Sequence, residues 1–428
     1  MLRSGGFCKV AVPLLLVGGT GACAQTYDIV LRNGYVVDPR NDVSGHRDVA
    51  IANGRIAAVE PSIDVRQARQ VFDIDGLFLT PGLVDIHTHL YSTTGIAGAW
   101  AGDSSVRPDS FSFRTGVTTM VDAGSSGWRN FETFREAVID RVQTRVLALI
   151  NIAGRGMESQ EAEQADFGPA EVARLAEQHA DVVVGVKSAH FQSTEWTSVD
   201  NAVAAGRTAE IPVMVDFGRF LEGRPFWELV EDHLRPGDLA THCFRAPVPW
   251  VDADGKLYAY LDRARARGVK FDVGHGAGSF VFRNAAPAIA QGFYPDSIST
   301  DLHGGSMNSA MMDMPTVMSK FLALGMPLDA VVRASTSTPA QLIGRPRLGH
   351  LGVGAAADIA VLRLDVGKFR FRDVRGGMVV GNQRLAAEMT LLQGEVVWDR
   401  NSRTGTDYRQ LPPDYGVTEP EVLLTPPR

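Results

Sequence analysis

The feature that most constrains this chain is a set of eight apolar runs, spaced along residues 81–340 and separated by amphipathic stretches. The runs are Leu83–His89, Val117–Ala123, Arg145–Ala153, Val182–His190, Pro212–Phe217, Leu239–Cys243, Lys270–His275 and Ser297–Asp301. Between them, stretches such as Pro169–His179 and Phe226–Leu234 carry apolar residues on one helical face and charges on the other. Continuous apolar strands alternating with amphipathic helices predict a parallel sheet covered on its outer face. Eight repeats predict closure, so the expected fold class is α/β, a (β/α)8 TIM barrel over residues 81–344. At 428 residues the chain has room for such a barrel and a second, smaller unit.

The flanks read differently. Tyr27–Val37 contains Arg32-Asn33-Gly34, Asp48–Val59 is built around Ala52-Asn53-Gly54-Arg55, and Val71–Thr80 is a third β-rich run; no helix is expected among them. The same style returns in Leu351–Leu364 and Leu391–Trp398. Residues 25–80 and 345–400 are therefore expected to form one small composite β-sandwich, followed by a tail over 401–428. At the N-terminus, Arg3 and Lys9 give a positive region before the apolar stretch Val10–Val17, and Ala22-Cys23-Ala24 fits small-x-small cleavage. Residues 1–24 thus read as a signal peptide and the protein as exported, periplasmic or secreted, with lipoprotein anchoring at Cys23 as the alternative. The apolar stretch is too short to span a bilayer. Cleavage after Ala24 leaves Cys243 alone, so the fold cannot depend on an internal disulfide. A net charge of -7 without a basic stripe argues against a nucleic-acid partner.

Chemistry-bearing residues gather at the ends of the runs. His87 and His89 alternate on one strand and so point the same way. They sit at the C-terminal end of the first run, where barrel active sites lie, and imidazole is a common ligand of zinc and similar metals. Lys187, His242, His275 and Asp301 end four further runs. A lysine inside a buried run is costly unless paired, neutralised or modified. Five strands finishing in ligand-type residues make a divalent-metal site the expected feature. His275, between two glycines, is expected to contact substrate or the transition state. Arg155, in Gly154-Arg155-Gly156, is read either as a clamp for a substrate carboxylate or as a solvent-facing loop charge. Tyr91 follows the histidine pair closely enough to reach substrate. His190 and His303 read as loop histidines, His179 and His233 as solvated ones, and Cys243 as a small buried hydrophobe.

With these residues in view, the chain resembles the amidohydrolase superfamily, and within it the deacetylase and dihydroorotase-like metallohydrolases. The resemblance rests on Asp28–Asn33, the lead-in from Asp73 and Gly76 to Pro81-Gly82, the His87-Thr88-His89 motif and Gly116-Val117-Thr118-Thr119. It continues through Thr241-His242-Cys243, Phe271-Asp272-Val273-Gly274-His275-Gly276 and Ser299-Thr300-Asp301. It implies two divalent ions, zinc or alternatively manganese. His87, His89 and Asp301 would hold one, His242 the other, and carboxylated Lys187 would bridge them. The strand-five ligand is usually a histidine; here it is Asp216, which is read as a ligand in its place. The implied chemistry is attack of a metal-bound hydroxide on an amide or ester carbonyl, with Asp301 moving the proton. The expected substrate is a small acyl-amino or acyl-hydroxy acid that loses its acyl group. Opening of a cyclic amide or cleavage of a dipeptide is the alternative on the same site. Dihydroorotases usually carry arginine at the position of Tyr91, which counts against dihydroorotate. From other classes, a non-catalytic periplasmic binding barrel and a lyase or isomerase stay open, as does homo-oligomerisation.

Overall fold

The structure is a computed structural model that describes residues 26–92, 104–157, 166–218 and 220–417. The expected signal peptide over 1–24, Cys23 within it, and the last residues of the tail lie outside the described residues. Five strands precede the barrel: β1 (Tyr27–Asp38), β2 (Val43–Ala52), β3 (Arg55–Glu60), β4 (Ala68–Asp73) and β5 (Phe78–Pro81). The barrel strands are β6 (Leu83–Thr88), β7 (Val117–Gly127), β8 (Arg145–Asn151), β9 (Val183–Ser188), β10 (Val213–Val215), β11 (Leu239–Ala240) and β12 (Lys270–Phe271). They pair in sequence order, every pair parallel. The eighth run closes the circle through parallel bridges from Ser297 to Asp272 and from Leu302 to Thr88. Its backbone accepts from Val273 and His275 on one side and exchanges bonds with His87 and His89 on the other. A buried carboxyl reinforces the seam. Asp85 on β6 accepts from the Thr300 amide and hydroxyl, and burial pushes its pKa up to about 7. The fold is thus a (β/α)8 barrel.

The later barrel strands are shorter than the apolar runs that predict them. The physical reason is local. His242 (φ +56°), Gly274 (φ +45°) and Gly276 (φ +53°) take left-handed conformations, so the chain leaves the ladder as it reaches the site. Outside the strands, the helices Pro169–Gln178, Thr197–Thr208 and Met314–Ala323 bury Val172, Leu175, Val199, Ala202, Val317 and Phe321 against the barrel. The expected helix at 226 is a short α-turn, Phe226–Glu228, running into a π-turn, Leu229–His233. In the first flank a single 3-10 turn, Val65–Gln67, interrupts the strands.

The sandwich is one mixed sheet folded over its own core. Beyond the barrel come β13 (Ile359–Arg372), β14 (Met378–Leu392) and β15 (Glu395–Asp399), and β5 joins β13 to β1. Leu31, Ile51, Ile56, Leu79, Val361 and Met389 from both ends of the chain share one buried cluster. The β13–β14 hairpin extends well beyond the sandwich and lies on the barrel, where the Leu385 amide donates to Ser319 on the helix Met314–Ala323. Arg145 at the start of β8 pairs with Asp358, whose other carboxylate oxygen accepts from the Gln393 amide. That buried carboxylate ties barrel to sandwich. Asp358→Ala is expected to cost about 2 kcal/mol, the scale of a charge-assisted hydrogen bond. An earlier unfolding midpoint with unchanged metal content is the expected reading; an unchanged midpoint contradicts the clamp.

Candidate metal centre

The strand ends deliver their side chains to one cavity of about 260 Å³. Among the described residues it is lined by His87, His89, Lys187, Asp216, His242 and Asp301, with Ser104, Met157, Ala189, His190 and His303 completing the wall. All six expected metal ligands therefore meet in one place. Donor atoms of His87, His89 and Asp301 lie within 4.8 Å of one another. Asp301 Oδ1 is 3.1 Å from His89 Nε2 and 3.7 Å from His87 Nε2. Burial alone raises the Asp301 carboxyl, but the histidines outweigh it and hold the group well below the usual carboxylate range.

Hydrogen bonds fix which nitrogen of each histidine faces the cavity. Thr241 donates its hydroxyl proton to buried Asp272 (2.6 Å), so its oxygen must accept from His87 Nδ1 at 2.9 Å. His87 Nε2 is left as a lone pair aimed at the cavity. His89 repeats the device: Nδ1 lies 3.0 Å from Ser125 Oγ, and Ser125 in turn hydrogen-bonds the buried carboxylate of Asp122. In each case a carboxylate acts through a hydroxyl to hold a histidine in the tautomer a metal needs. Burial, and then the Lys187 charge, push the His87 pKa down to about 3, so the ring is neutral at ordinary pH. Lys187 is 1% exposed, and its Nζ is 3.0 Å from His87 Nε2.

A second group of donors sits just past the ends of β10 and β11. His242 Nδ1 donates to the Gly274 carbonyl (2.6 Å), so its Nε2 faces Asp216 Oδ2 at 3.3 Å. An imidazole nitrogen this close to a carboxylate oxygen calls for a cation, a proton or a metal ion, between them. Burial works against the His242 imidazolium, yet the Asp216 charge outweighs it and raises the pKa. Nitrogen and oxygen donors converging on one cavity suit zinc or manganese. The donor set therefore fits a divalent metal.

Three other expected site residues are placed elsewhere. His275 is fully buried behind the cavity wall, stacked on Phe280, with Nδ1 at the Gly276 carbonyl (2.9 Å) and Nε2 2.6 Å from Lys320 Nζ. It is not among the described residues that line the cavity. Tyr91 packs its ring against Phe134 in the core, with centroids 5.2 Å apart. Arg155 is exposed and outside the described lining. Sequence reasoning passed over His190 and His303 as loop histidines, and it missed the orienting pair Asp122 and Asp272. A signal for the pair was present, since each carboxylate interrupts an otherwise apolar run. Lys320 was missed because its helix reads as an ordinary amphipathic one.

A parallel barrel whose strand ends converge histidines, carboxylates and a buried lysine on one cavity defines a metal-dependent hydrolase class. The amidohydrolase family model matches residues 281–397. A deacetylase of Agrobacterium fabrum is 36% identical over 324 residues, 73% of this chain and 77% of that protein. Two solved structures are similar over 87% of the chain. One is an adenine deaminase (TM-score 0.78, 26% identity, all of that chain) and the other a dihydroorotase (0.77, 31% identity, 99% of that chain). The chain belongs to the amidohydrolase family and is a hydrolase.

Lys320 generates a prediction. Burial pushes its ammonium down to about 7, with the Asp373 carboxylate opposing and Arg372 adding to the shift. In the unfolded chain the group keeps its proton to about pH 10.4. Between these values the unfolded chain binds more protons, so the cost of burying Lys320 is largest below pH 7 and fades as pH rises. Wild type is therefore expected to gain stability relative to Lys320→Met from pH 7 to pH 10. Unfolding free energies of both proteins across that window check it, and a constant difference contradicts it.

Proposed function

We propose that this chain removes an acyl group, such as acetyl, from a small acyl-amino or acyl-hydroxy acid at a pair of divalent metal ions. The observation that carries the reading is the hydroxyl-relayed orientation of His87 and His89, which turns both Nε2 atoms toward Asp301 in a small cavity. His87, His89 and Asp301 would hold one ion, and Asp216 and His242 the other. Carboxylation of Lys187 by carbon dioxide would turn a costly buried ammonium into an oxygen ligand shared by both. The bound ions supply water acidified toward neutral pH and polarisation of the substrate carbonyl. The deacetylase name of the Agrobacterium relative supports acyl removal. Similarity to a dihydroorotase keeps hydrolysis of a cyclic amide as the second reading. If residues 1–24 act as the export signal they resemble, the enzyme would work outside the cytoplasm and meet substrate before uptake.

The chain's own groups divide the work. Asp301 starts ionised, accepts the proton of the attacking water on its carboxylate and delivers it to the leaving nitrogen or oxygen. Gly276 makes room for this carboxylate, since a Cβ there would lie 2.2 Å from Asp301 Oδ2. His303 Nδ1 accepts from the Gly305 amide (3.1 Å), which leaves the proton on Nε2 to donate to a substrate oxygen in the cavity it lines. A cavity of about 260 Å³ admits a small molecule, which would displace water from the site.

Metal-loaded protein should be screened against N-acetyl amino acids, acetylated hydroxy acids, hydantoins and dipeptides in water enriched in oxygen-18. Label is expected in the released acid; turnover without label favours a lyase or isomerase. Asp301→Asn is expected to fold normally and lose about 10²- to 10⁴-fold in turnover, the range of general acid–base catalysis. Near-normal turnover by that variant removes Asp301 from the proton path.

A further inference from the structure

We propose that His190 is a direct ligand of the second metal ion, together with Asp216 and His242. The inference rests on the two-ion reading above and extends it to a residue outside that ligand set. Three atoms carry it. Asp216 Oδ2 lies 3.0 Å from His190 Nε2 and 3.3 Å from His242 Nε2, so two imidazole nitrogens flank one carboxylate oxygen at the cavity wall. The other carboxylate oxygen of Asp216 accepts from the Gly218 amide at 2.8 Å, which turns Oδ2 toward the histidines.

The backbone is shaped to bring His190 there. The Asp216 amide donates to the Ser188 carbonyl (2.9 Å), which fixes the ends of β9 and β10 side by side. Two residues beyond Ser188, His190 takes a left-handed conformation (φ +52°) that a histidine adopts only at a cost. Gly218 (φ +66°) packs directly on it, and a Cβ at Gly218 would stand 2.9 Å from His190 Cα. Both departures act to push the His190 ring over Asp216. A histidine held only to balance the Asp216 charge needs neither, because a flexible cation could do it from solvent. The imidazole is 44% exposed and Asp216 only 4%, so a ligand at this place would also form the rim through which substrate passes. Two imidazoles and one carboxylate, with carboxylated Lys187, make a nitrogen-rich site suited to zinc.

The test is metal binding, measured independently of turnover. Zinc-loaded wild type, His190→Ala and His190→Asn are dialysed against chelator of graded strength, and bound zinc is counted by elemental analysis. Asparagine tolerates the left-handed backbone and guards against a folding defect, which thermal unfolding also checks. Wild type is expected to hold two ions. Both variants are expected to keep the first and bind the second more than about 100-fold more weakly, beyond the 10- to 100-fold cost of losing an orienting partner. Cobalt-loaded His190→Ala is expected to show an altered visible spectrum at the second ion. Two ions in the variants with affinity reduced 100-fold or less, or an unchanged cobalt spectrum, overturns the ligand role alone. A single ion in wild type overturns the two-ion reading and the His190 role with it.

Discussion

The site depends on the direction in which two buried imidazoles carry their protons. Asp272 through Thr241, and Asp122 through Ser125, each set a histidine so that Nδ1 is protonated and Nε2 is bare. The three polar groups of each relay would be expensive to bury unsatisfied, at about 1–3 kcal/mol each. The network removes that cost and converts it into orientation. His87 Nε2 then faces Lys187 and His89 Nε2 faces Asp301, an arrangement that a divalent cation would suit.

This network dictates the barrel's shape. Asp122 comes from β7, Thr241 from just past β11 and Asp272 from just past β12, so the relays need several parallel strands ending at one level. The barrel closes there through Asp85 and Thr300 between the first strand and the eighth run. Regular pairing gives way where the site begins, with left-handed backbone at His242, Asp301, Gly274 and Gly276. Strain at these positions sits beside the chemistry, and the long strands of the sandwich and the Arg145–Asp358 pair hold the rest of the fold against it.

The barrel and its ligands were legible because they repeat. Eight apolar runs fixed the architecture, and residues such as His242 and Asp301 were visible as polar ends on apolar strands. What was not legible depends on tertiary approach. His275 has the residue type and strand position of a contact residue, but Lys320 on a distant helix claims its Nε2 and draws it behind the wall. His190 looks like a loop histidine until the close approach that Gly218 permits is seen beside its contact with Asp216. The long β13–β14 hairpin was undercounted because its outer half is polar. The alternation in Lys368-Phe369-Arg370-Phe371-Arg372 was its only trace.

Diffraction at the zinc absorption edge from zinc-loaded crystals tests the central claim most directly. The account predicts an anomalous peak about 2.0–2.1 Å from Nε2 of both His87 and His89, within the same cavity as Asp301. Ordered histidines with no peak between them, or a zinc ion bound through Nδ1 with the hydroxyl relays broken, would contradict it.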